Sequence, residues 1–125
     1  METRDEYLLA LRPSIDIDRK GKKSELENFM HETLRPVLKF QQTFIQALMD
    51  EEKHIKPESI RQLDQDSRQN FLANYISKNN KVRASLIGSI SGLFTTGELD
   101  FYFEQKRELD RRIIEMSIVR YLSTL

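Results

Sequence analysis

The stretch SELENFMHETLRPVLKFQQTFIQALMDEEKH, residues 24–54, decides the fold class. Ser24 and Glu27 stand at capping-box spacing, in which each side chain bonds the backbone N–H of the other at a helix start. Behind them Leu26, Phe29, Met30, Leu34, Val37, Leu38, Phe40, Phe44, Ile45, Leu48 and Met49 recur at helical intervals on one wide face. Glu32, Arg35, Lys39, Thr43 and Gln46 fall opposite. Pro36 sits inside this pattern, where its ring meets the carbonyl of Glu32 and one backbone bond is lost. The stripe continues in phase beyond it, which predicts a kink near Pro36 rather than a break. Gln41 falls within the apolar arc. Once buried it needs a hydrogen-bond partner, with Tyr75 and Tyr102 as candidates, or it lines a small cavity.

Toward the N-terminus, Thr3 and Glu6 repeat the capping-box spacing, and Tyr7, Leu8 and Leu11 follow before Pro13 ends a short helix. Residues 14–23 read as a loop with a basic run, Arg19-Lys20-Gly21-Lys22-Lys23, so 1–23 is a short helix plus a basic loop. Toward the C-terminus, Pro57 marks a boundary. A helix is predicted from about Asp64 to Lys78, with Phe71, Leu72, Tyr75 and Ile76 inward, and Asn79-Asn80 makes the turn after it. The next helix, from about Lys81 to Phe94, has a bulky face (Val82, Leu86, Ile90, Leu93, Phe94) and a face of small residues that includes Gly88 and Gly92. Two glycines one turn apart each cost about 1 kcal/mol relative to alanine, which predicts close backbone packing there. No stretch alternates with period two. The reading is a single all-helical domain over 1–125, a bundle of about five helices, two of them long.

The last helix opens at the Thr95–Glu98 capping box and runs to about Ser123. Its first half carries Leu99, Tyr102, Phe103, Leu109 and Ile113; its second carries Ile114, Ile118, Tyr121, Leu122 and Leu125, turned by about a quarter turn or more. Three consecutive helical residues cannot share one face, which singles out Phe101 as the outward member of Phe101-Tyr102-Phe103. Unbroken, the two long helices measure about 46 Å and 42 Å, against a diameter of about 36 Å for a domain of this size. The displaced arc at Ile114, Ile118, Tyr121, Leu122 and Leu125 is therefore a candidate homodimer surface, unless Leu8 and Leu11 of the first helix cover it.

Composition excludes several function classes. Lys plus Arg is 20 and Asp plus Glu is 20, a net charge of zero, where duplex-binding domains carry a basic excess. The helix after Asn79-Asn80 offers Lys81 and Arg83 and then only small or apolar groups, a poor recognition helix, so no nucleic-acid partner is predicted. The longest uncharged stretch, Ala84 to Gly97, is rich in Ser, Thr and Gly and too short for a membrane span, and the charged start offers no apolar leader core. With no cysteine there is no disulfide framework, and a cytoplasmic protein is expected.

No catalytic constellation emerges, and no metal site or cofactor is predicted. The two histidines form isolated pairs, Glu27–His31 and Glu51–His54, whereas carboxylate di-iron bundles need two Glu-x-x-His pairs and two further carboxylates. A closed zinc site lacks ligands. Gly88-Ser89-Ile90-Ser91-Gly92 resembles a nucleophile elbow but has no strand before it. Thr95-Thr96-Gly97 reads as plain capping, and Lys106, Arg107, Arg111 and Arg112 interleave with Glu104, Glu108 and Asp110 at ion-pair spacings.

Four strings in order, Arg4-Asp5-Glu6-Tyr7 with Arg12-Pro13, Thr33 through Lys39, Gly92-Leu93-Phe94-Thr95, and Arg111-Arg112-Ile113, are similar to a family of short helical bacterial proteins often labelled "glyoxalase". The resemblance implies a helical fold over nearly the whole chain and no established activity. Glyoxalase chemistry requires strand-rich modules with His and Glu ligands, or a His-rich motif, and these residues supply neither, so no activity or site residue is carried over. The expectation is a non-enzymatic helical protein that binds another protein or itself. The alternative is a small-molecule binder or enzyme with a pocket at Gln41, Gly88, Gly92 and Tyr102.

Overall fold

The computed structural model describes residues 3–15 and 24–125; the basic run at 19–23 lies outside them. Every regular element among the described residues is helical. Among the described residues there are eight helices rather than about five. They are α1 (Arg4–Leu11), α2 (25–40), α3 (Gln42–Asp50), α4 (Pro57–Arg61), α5 (Gln65–Ser77), α6 (Asn80–Ser91), α7 (Thr96–Glu104) and α8 (Lys106–Leu122).

Local chemistry accounts for most helix starts. Thr3 and Thr95 form complete capping boxes with Glu6 and Glu98. Ser24, Asp64 and Asn79 accept from the N–H groups of Glu27, Ser67 and Val82, each cap worth about 1 kcal/mol. Pro57 opens α4 in the first turn, where its missing N–H has no partner to lose.

Two expectations are corrected here. The kink near Pro36 is replaced by a π-helical turn at Met30–Leu34, in which the Arg35 N–H donates to the carbonyl of Met30, five residues back. The widened turn changes the bonding register just ahead of the proline, and the helix continues through Pro36. The chain departs from helical geometry instead at Gln41, φ −91° and ψ 10°. The last helix is likewise divided, at Gln105, φ −115° and ψ 26°. The 17 residues of α8 then measure about 26 Å, within the diameter of a domain of this size.

The rotated stripe falls within α8 itself, where Leu109 and Ile113 of the first arc and Ile118 and Tyr121 of the second are all buried, because several helices cover it. α8 packs against α3, α5 and α6. Its Leu109, Ile113, Ile118 and Tyr121 join Leu38, Ile45, Leu72, Leu86 and Phe94 in one core. Phe101 is not the outward residue: it stacks on Phe29 at 5.0 Å, while Phe103 is 63% exposed.

α1 is tied to the body through the start of α7. Glu98 accepts both Arg12 guanidinium nitrogens (2.7 Å to Oε2, 2.5 Å to Oε1), the Thr33 hydroxyl at 2.9 Å and the Thr95 N–H at 2.8 Å. Arg4 donates to the carbonyls of Gly92 and Phe94, and Asp5 accepts from the Thr96 N–H at 2.9 Å. Burial pushes the Glu98 carboxyl up, but Arg12, the Thr95 N–H and Thr33 outweigh it and hold the group below its ordinary 4.5.

A group held low contributes stability that is present above its unfolded-state pKa and lost as pH falls through its folded value. Wild-type stability to urea is therefore expected to decline as pH drops below about 4.5, with a flatter profile for Glu98→Gln. Glu98→Ala, which leaves Arg12 and Thr33 unpaired, is expected to cost about 3 kcal/mol at neutral pH. Urea titrations of the three proteins across pH check both statements.

Candidate functional site

The small-residue face of α6 opens onto a groove of about 470 Å³. Val82, Leu86 and Ile90 take the buried side of this helix, which leaves Ala84, Gly88 and Gly92 on the groove floor. Tyr102 on α7 and Lys106 and Asp110 on α8 form one wall, and Phe103 stands beside them. Arg4 from α1 and Arg83 from α6 complete the lining.

The wall is a closed hydrogen-bond network. The Tyr102 hydroxyl donates to Asp110 Oδ1, and Lys106 Nζ donates to Oδ2 at 2.6 Å. Lys106 also lies 5.7 Å from the centre of the Tyr102 ring, within cation–π range. Burial first, and then the Asp110 carboxylate, raise the Tyr102 hydroxyl above its ordinary value. The hydrogen bond to Asp110 raises Lys106. Near neutral pH the tyrosine therefore keeps its proton and the lysine its charge. Each oxygen of the buried carboxylate accepts from one of these donors, and the network fixes the wall. Ser89 and Ser91 donate to the carbonyls of Leu86 and Ile87, within their own helix. No cluster of three His, Cys, Asp or Glu among the described residues could hold a metal ion.

Of the four pocket residues read from the sequence, Gly88, Gly92 and Tyr102 share this groove. Gln41 does not; its amide donates to the Ser89 carbonyl at 2.9 Å, at the junction of α2 and α3. The two glycines differ in kind. A Cβ on Gly88 would meet nothing within 4 Å, whereas one on Gly92 would lie 2.8 Å from the Gly88 carbonyl oxygen. Close packing within the fold is therefore not the reason for Gly88, which faces open space in the middle of a helix.

The arc on the last helix is also placed. Ile118 and Tyr121 are buried in the core, and Ile114, Leu122 and Leu125 are partly buried against it. The Tyr121 hydroxyl donates to Asp50 at 3.2 Å, and burial with that carboxylate pushes it up to about 12. The exposed apolar residue of α8 is Val119, at 54%, one that the periodicity did not single out. Phe103, expected inward, is exposed as well; the stripe does not continue in phase across Gln105.

No helix among the described residues is long and apolar enough to cross a membrane. No protein-family model, curated protein or solved structure matches this chain.

The two glycines should respond oppositely to the same substitution. Gly88→Ala is expected to raise stability by about 0.5–1 kcal/mol, because alanine favours the helix and its methyl enters open space. Gly92→Ala is expected to lower stability, because its methyl crowds a backbone oxygen. Thermal unfolding of both variants beside wild type decides the matter.

Proposed function

We propose that this protein is a non-enzymatic helical interaction module that receives a segment of another protein, or of a second copy of itself, in the groove at Gly88. The observation that carries the reading is Gly88 itself. A mid-helix glycine costs about 1 kcal/mol relative to alanine, and here no neighbour in the fold comes near its Cα hydrogen side. Close approach by something from outside gives that position a use, since absence of a Cβ lets a second backbone lie against α6. Phe103, 63% exposed on the groove wall, offers an aromatic contact of the kind that anchors interfaces. The interaction surface in this reading is the groove, in place of the buried or partly buried arc of Ile114, Ile118, Tyr121, Leu122 and Leu125. A cysteine-free chain with zero net charge is in keeping with a cytoplasmic setting and with a protein partner rather than nucleic acid.

A second reading, a small-molecule binder, is favoured by one feature: the Tyr102–Asp110–Lys106 network holds polar groups rigidly at the groove wall. Native mass spectrometry on protein taken gently from its source separates the two. The interaction reading expects a dimer or hetero-complex with no small added mass, lost in Gly88→Leu while the melting temperature is maintained. A bound metabolite released by Tyr102→Phe would favour the second reading. A bare monomer throughout would overturn both.

A further inference from the structure

We infer that a second face, the trough along α5, receives an acidic peptide segment anchored by one aromatic or branched aliphatic side chain. Two hollows of about 400 and 340 Å³ lie side by side there and share His54 and Phe71 in their lining. Ile60 and Leu63 line the first; Asn74, Tyr75, Lys78 and Asn79 line the second. The trough shares no lining residue with the groove at Gly88 and does not rest on the reading of that groove.

Its floor is apolar and partly in water. Ile60 is buried, whereas Leu63 and Phe71 are each 38% exposed. An apolar anchor laid on them would remove that surface from solvent, at about 25 cal/mol per Å². Its charged lining is basic. Lys56 lines the first hollow and Lys78 the second, with His54 common to both, and no carboxylate lines either. Neither lysine forms an ion pair among the described residues. The acid bonded to this wall is Glu52, which accepts from the Tyr75 hydroxyl at 2.5 Å and the Asn79 amide at 3.3 Å rather than from a lysine.

Cations without partners on both sides of an apolar floor complement an occupant with carboxylates on both sides of an apolar anchor. The shape distinguishes a chain from a small molecule. Small ligands bury most of their surface in closed pockets. These hollows open to solvent and run on from one to the other, which suits a peptide laid across them with one side chain inserted.

The test is a titration of the nitrogen-15-labelled full chain with a short peptide of aspartates and glutamates around a single phenylalanine, followed by backbone amide spectra. The expected result is saturable shifts confined to residues 54–63 and 71–79. Affinity should fall at least about tenfold for the same peptide with serine at its centre, and likewise for the Lys56→Glu, Lys78→Glu double variant. Both lysines are exposed, and an otherwise unchanged spectrum of the variant verifies its fold. Three results would overturn the proposal: no saturable shift up to millimolar peptide, shifts centred on residues 84–92 and 102–106, or an affinity indifferent to the lysine reversal.

Discussion

A half-buried carboxylate holds the first two helices to the start of the last helical pair. Glu98 accepts a two-pronged guanidinium from Arg12, a hydroxyl from Thr33 and the N–H of Thr95. Each donor comes from a different element, so a single side chain fixes α1, α2 and the entry to α7 relative to one another. Such a charge is costly to bury unless its lone pairs are met, and here all of them are aimed at by donors. The alternative anchor would be apolar burial, but in α1 only Leu8 is buried, while Tyr7, Leu9 and Leu11 stay exposed. The N-terminal helix is thus held mainly by geometry-dependent polar contacts, which specify its position more narrowly than a greasy contact would.

That junction shapes the groove. Arg4 reaches from α1 to the carbonyls at the end of α6, which places a guanidinium on the groove lining and satisfies groups that a helix end leaves open. The direction of α7 then sets Tyr102 inward and Phe103 outward, and the turn at Gln105 brings Lys106 and Asp110 back to meet the Tyr102 hydroxyl. The groove is therefore a product of three helix ends, and its floor is glycine because α6 has its bulky face committed to the core.

The two faces proposed for binding differ in physical character. The groove at Gly88 offers backbone proximity and one exposed aromatic ring between satisfied polar groups. The trough along α5 offers apolar surface under cations without partners.

The helical class, the single core and most helix starts were legible in residues close together in sequence. Ser24, Asp64 and Thr95 each act on N–H groups within one turn, so their effect is local and readable. The inward positions of Leu34, Leu38, Ile45, Leu86 and Ile113 followed from periodicity alone. The small-residue face at Gly88 and Gly92 was also legible, because small residues one turn apart mark a helix face whatever it meets. What lay beyond the sequence were relations between distant residues. Arg12 and Glu98 are 86 positions apart, and no local rule pairs them. The breaks at Gln41 and Gln105 carry no proline or glycine. The offset arc at Ile118 and Tyr121 is buried because α8 packs against α3, α5 and α6 at once, which periodicity does not show. The same packing turned Gly88 from a buried contact into open floor: periodicity gives the face on which a residue lies, and the neighbouring helices decide whether anything covers it.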